Sequence, residues 1–154
     1  MSLSLYEQDY NLWLEKTTRL ILAKRFNEIE WDYLLSELGE LGKSEKRALV
    51  SNLVILLAHL LKLKVQFDAP ESMKISWYNS GVEHRTKVSL ALKSIPSLKS
   101  YLLDAINNAY PEARKIAIDE GKRAKFGVKV KPKSEYPEEC PFTLEMIMDE
   151  EFYG

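Results

Sequence analysis

The sequence predicts an all-α protein, a single-domain helical bundle of about five or six helices with an irregular, charged C-terminal arm. Three observations carry that prediction. Apolar residues recur at steps of three and four up to about residue 120, with turn-forming residues between the periodic stretches. Beyond Gly121 that period is lost, and FGVKVKPK alternates apolar and basic residues instead. At 154 residues, 45% hydrophobic and 29% charged, the chain is long and apolar enough to bury one core. The expected division is residues 1–121 as the bundle and 122–154 as an arm packed on it.

Each element has its own signal. SLYE at 4–7 fits a capping box, with Ser4 as cap and Glu7 reaching back. The helix it opens is expected to reach about Arg25, with Tyr6, Tyr10, Trp13, Thr17 and Leu20/Ile21 on one face. A second helix starts near Glu30, carries the apolar stripe Trp31, Leu34, Leu35, Leu38 and Leu41, and has Gly42 as a C-cap. Ser44 can cap a third, from about Glu45 to Val65. The pattern admits either a break at Gly42 or a join through it. DAPESMKIS (68–76) reads as a loop, and a fourth helix runs from Ser76 or Trp77 to about Lys93. SIPS breaks it, and Ser97 caps a fifth carrying Leu98, Tyr101, Leu102, Ala105 and Ile106. Pro111 should kink that helix or begin a new one, and Gly121 should end it. In the arm, residues near 143–149 form a short helix whose Leu144 and Ile147 dock onto the bundle.

Composition narrows the function classes. The longest apolar run is interrupted by Lys62 and Lys64, so no uncharged stretch of roughly 18 residues is present to span a membrane. MSLSLYEQDY lacks a basic region followed by an apolar one, so no secretory leader is expected. The one cysteine cannot form an internal disulfide, which suits a reducing cytoplasm. A net charge of −1 disfavours nucleic acid. Charge is segregated, however: 122–133 carries six bases and no acid, and 134–154 seven acids and no base. The plain reading is that the two segments offset each other or are solvated.

The residues with chemistry are few. On a helical wheel His59 lies on a polar ridge with Glu45, Asn52, Lys62 and Gln66, opposite Leu49, Leu53, Leu56, Leu57, Leu60 and Leu61. Glu37 and Glu40 share a face at a spacing of three, but helix geometry holds them about 20 Å or more from His59. His84 is the better neighbour. Seven residues separate His59 from the end of its helix and eight separate Ser76 from His84, so an antiparallel pair brings them level, with Lys62 and Arg85 alongside. Two imidazoles and a carboxylate suit Zn²⁺ or Fe²⁺, yet the adjacent cations suit a small anion better. The plainest reading is a self-satisfied polar seam, with no metal and no cofactor. Glu37 and Glu40 read as a solvated face or as ion partners of Lys43 and Arg47. Cys140 reads as a packed thiol, and Trp13, Trp31 and Trp77 as core.

The ordered segments SLYEQDYNLWLEKT, RFNEIEWDYLLSELGELGKSEKRAL, LLAHLLKL, SW at 76–77, IPSL at 95–98, AYPEARKIA and YPEECPFTLEMIMDEEF resemble the bacterial family catalogued as domain of unknown function twenty-nine. Trp13, Glu37, Glu40, His59, Lys62, Trp77, Arg85, Pro96, Pro137, Cys140 and Pro141 fit that pattern, whereas Gly81, Leu63 and the basic stretch at 121–134 depart from it. The resemblance implies a small helical cytoplasmic protein and no activity. The function expected first is a non-enzymatic protein-interaction module that binds a partner or itself through the seam or the arm. The alternative is a metal-dependent hydrolase-like or metal-binding protein using His59 and His84, and a third is an RNA-binding accessory using 122–133. The binding candidates are His59, Lys62, His84, Arg85, Glu37 and Glu40.

Overall fold

The computed structural model describes residues 3–124 and 129–154, and among these every regular element is helical. The chain divides into two compact units, Met1–Ser44 and Glu45–Gly154.

In the first unit, Ser4 forms the expected capping box, but α1 (Leu5–Gln8) is a single turn. Asp9 stops it in an extended conformation and caps α2 (Tyr10–Leu22), its carboxylate accepting from Leu12 N at 3.0 Å. The expected single helix is therefore two, because an aspartate that can satisfy a free N–H outcompetes continuation. The second piece ends without a glycine. Lys24 takes the left-handed conformation (φ 57°), with Arg25 N donating to Leu20 O and Lys24 N to Ile21 O. Trp13, Thr17, Leu20 and Ile29 are buried here.

Helix α3 runs unbroken from Trp31 to Val65, 35 residues. Gly42 does not cap and Ser44 does not restart. Two interior glycines cost about 1 kcal/mol each against alanine. Leu, Glu, Lys and Ala dominate both sides of them, and one apolar register (31, 35, 38, 42, then 49, 53, 56, 60) passes straight through. By length and composition this helix could cross a membrane, with a mean hydropathy of 1.8 over its most apolar 18 residues. Leu49, Leu53, Leu56, Leu57, Leu60 and Leu61 are at most 1% exposed, as befits a core helix.

The second unit is built on that C-terminal half. Helix α4 (Glu71–Ser94) begins five residues before the expected Ser76, because Pro70 supplies a preset start and its carbonyl accepts from Met73 and Lys74. A 3₁₀ segment (Pro96–Tyr101) replaces the expected cap at Ser97. Helix α5 (Leu102–Arg123) passes through Pro111 and Gly121 without ending. Its buried face, Ala105, Ala109, Tyr110, Ala113 and Ala117, outweighs one missing backbone bond. After a second 3₁₀ turn (Lys133–Glu135), α6 (Leu144–Met148) is capped by Thr143. Ile147 is fully buried, but Leu144 stays 38% exposed, so one of the two expected anchors docks. Of the expected irregular stretch 126–133, residues 126–128 lie outside the described residues. Its Lys131 pairs with Asp68 at 3.0 Å and sits 4.5 Å over the Phe67 ring.

Gly121 is required by a close approach. A Cβ there would lie 2.7 Å from both Gln66 Nε2 and the Tyr136 hydroxyl, two buried groups hydrogen-bonded to each other at 2.7 Å.

Candidate functional site

The polar ridge of α3 is exposed at one end and buried at the other. Asn52 spends its amide on Ala48 O one turn back. His59 is half-buried, and Lys62 and Gln66 are each 4% exposed. Burial pushes the His59 imidazole down to about 4, with the Lys62 and His84 charges adding to the effect, so it is neutral at pH 7. His59 Nδ1 is buried with no hydrogen-bond partner.

Burial likewise lowers the Lys62 ammonium to about 8. It is nonetheless held as a cation by two groups. It pairs with the half-exposed Glu120 carboxylate from α5, and its Nζ lies 5.6 Å from the Trp77 ring centroid. His84 Nδ1 lies 2.8 Å from Ser80 O, and since a carbonyl only accepts, that nitrogen carries the proton.

Arg85, on α4, is committed elsewhere. It is 3% exposed and donates from Nε to Ile147 O and from Nη2 to Phe152 O, both at 2.7 Å, with the Tyr153 ring 5.2 Å from its Cζ. Its role is to pin the C-terminal segment against α4. Beside it Val82, Thr86, Ser89, Leu90, Lys93, Glu150 and Glu151 line a hollow of about 480 Å³. Burial lowers the Arg85 guanidinium, while the Tyr153, Asp149 and Glu150 charges oppose that shift.

Glu37 and Glu40 lie in the first unit. Glu37 accepts from the Tyr6 and Tyr10 hydroxyls, the latter at 2.5 Å, within a ring cluster that includes Trp13 and Tyr33. Those hydrogen bonds lower the Glu37 carboxyl and push Tyr6 up to about 12. Glu40 pairs with Lys43 at 3.4 Å. His59 therefore feels the Lys62 and His84 charges, Arg85 is committed to the tail, and the two glutamates keep separate company. Among the described residues, no three His, Cys, Asp or Glu side chains cluster closely enough to hold a metal ion.

A different feature stands out in the first unit. Trp31, Leu35, Leu38 and Leu41 are 46%, 60%, 56% and 65% exposed. Trp31 and the leucine stripe are thus surface, not core. The cause is visible in the partners of α3's other side: Tyr33 and Glu37 meet the aromatic cluster of α1 and α2, leaving the Trp31–Leu38 side bare. The 31–35–38–42 register is the same as 49–53–56–60, so the apolar pattern alone carries no sign that one set is covered and the other is not.

Fold and side chains together define a small all-α protein with a sealed C-terminal core and a bare apolar helix face. The sequence matches the family described as Domain of unknown function DUF29 over residues 5–153, and the chain belongs to that family. No curated protein and no solved structure matches it.

Proposed function

We propose that the chain is a non-enzymatic protein-interaction module of the cytoplasm, and that it binds through the exposed face of α3's N-terminal half. One observation carries this reading. Trp31, Leu35, Leu38 and Leu41 form a contiguous apolar stripe on a regular helix, each close to half exposed or more. Grouped apolar exposure of this kind marks interaction surfaces, whereas single exposed leucines mean nothing. The helical form suits a partner that packs another helix or a groove against it. The seam supports binding less well: Lys62 already holds Glu120 and Trp77, and Arg85 already holds two backbone carbonyls. The free, half-buried Cys140 fits a reducing compartment.

Photo-crosslinking in living cells tests the reading. A benzophenone amino acid at Leu38 is expected to give protein adducts, and the same group at the exposed Leu90 of α4 is not. Absence of adducts at Leu38, or equal adducts at both positions, overturns it.

A further inference from the structure

We infer that the occupant of this face is a basic amphipathic helix of another protein, its apolar side on the stripe and a lysine or arginine of its rim beside the Trp31 ring. This rests on the interaction reading above and says which chemistry the surface takes. All of the surface lies in the first unit. The stripe supplies the apolar half of the match. Trp31, Leu35, Leu38 and Leu41 fall at steps of four, three and three, a row that a second helix can cover with leucines of its own. The row is open to approach, since a Cβ built on Gly39 or Gly42 beside it would meet nothing within 4 Å.

Charge selects the partner. Residues 26–41 carry five acids and no base. Three of the acids are engaged: Glu28 pairs with Arg25, Glu37 accepts from Tyr6 and Tyr10, and Glu40 pairs with Lys43. Glu30 and Asp32 are exposed, and among the described residues neither side chain has an ion pair or a hydrogen bond. Acids at the start of a helix offset its dipole and by themselves mean nothing. Here they stand on either side of Trp31 in the sequence, and with it and Tyr33 they line a hollow of about 320 Å³. The indole is held, its Nε1 donating to Phe26 O at 2.9 Å, yet it is 46% exposed. A held aromatic ring beside two unpaired carboxylates suits an ammonium or a guanidinium, which the ring face and both carboxylates attract. The same rim repels an acidic helix and an anionic membrane surface, either of which the apolar stripe alone would admit.

The test uses the full chain and, as probe, a synthetic amphipathic helix with leucine on one side and lysine on the other, titrated by calorimetry. The lysine peptide is expected to bind, and a sister peptide with glutamate in place of lysine is not. Leu38→Asp should weaken binding by roughly a hundredfold through the lost leucine contact, with far-UV circular dichroism unchanged. Were charge alone the attraction, that added acid would strengthen it. Glu30→Lys with Asp32→Lys should weaken binding by about tenfold or more. The same charge change in the second unit, Glu138→Lys with Glu139→Lys, should leave it as in the parent. Failure of the lysine peptide to bind, equal binding of both peptides, or no loss with Leu38→Asp or with the Glu30→Lys, Asp32→Lys pair overturns the inference. In cells, the benzophenone adducts at Leu38 should map to a helix with lysine or arginine along its apolar side, and should be lost when Glu30 and Asp32 are reversed to lysine. Adducts to an acidic segment or to a second copy of this chain overturn the inference and leave the interaction reading intact; adducts to lipid alone, or none, remove both.

Discussion

The two halves of α3 carry the same pattern and meet opposite fates. Leu49, Leu53, Leu56 and Leu60 continue the register of Trp31, Leu35, Leu38 and Gly42, yet the first four are at most 1% exposed and the leucines of the second set are more than half exposed. Intrinsic hydrophobicity therefore does not decide burial here. What decides it is supply: residues 45–154 provide Val88 and Leu92, the alanine face of α5, and Tyr136, Phe142 and Ile147 to cover one half. The first unit has only α1, α2 and a short turn, and these spend their aromatic side chains on Tyr33 and Glu37. A helix pattern states which face wants cover, and the rest of the chain states whether cover exists.

The largest effect that separates the two halves is truncation of matching leucines. Leu56→Ala should cost about 2–5 kcal/mol, through lost burial and the cavity left behind. Leu38→Ala, measured by urea unfolding in dilute solution, should stay within about 0.5 kcal/mol of the parent. A comparable loss at Leu38 in dilute solution would mean that its face is covered within the chain, and the contrast would collapse.

The contrast also marks how far the sequence could be read. Helical class, the end of α3 at Val65, the SIPS break and the Thr143-capped last helix follow from period and capping chemistry, which are local. Gly121 misled as a helix end, and Gly42 and Pro111 left a break open, because each carries a local cost of one to a few kcal/mol that distant packing overrides. Counting helix turns sets His84 level with His59, since axial rise is fixed by geometry, and the His84 charge is among those that lower the His59 imidazole. Arg85's partners, two backbone carbonyls in the tail, were not readable, because no side-chain pattern announces a carbonyl acceptor. Nor was the exposure of Trp31: a wheel shows an apolar face but not what lies against it.

Next in size is an acid response confined to the covered half. His59 is held at about 4 in the fold, below the ordinary value of 6.5. Between those pH values the unfolded chain binds more protons than the folded one, so stability falls as pH drops from 6.5 to 4 and this contribution is gone below 4. The term is worth up to about 3 kcal/mol. His59→Leu should remove it, so that the stability difference between variant and parent shifts in the variant's favour by that order from pH 6.5 to pH 4.5. Parallel urea midpoints for the two proteins, with no narrowing of the gap, would show that His59 protonates freely in the fold.

The finest comparison sets one glycine against another. Gly121→Ala, in the covered half, forces a Cβ to within 2.7 Å of Gln66 Nε2 and the Tyr136 hydroxyl, so their buried hydrogen bond must shift or break, at about 1–3 kcal/mol. Gly42→Ala, in the bare half, meets nothing within 4 Å and replaces a poor helix former by the best one. It should stabilise the monomer by about 0.5–1 kcal/mol, the only change in this set with that sign. Gly42→Ala should therefore raise the melting temperature while Gly121→Ala lowers it. A Gly42→Ala variant that melts below the parent would mean that something within the chain occupies the space at Gly42, and the contrast between the covered and the bare half would shrink at that point.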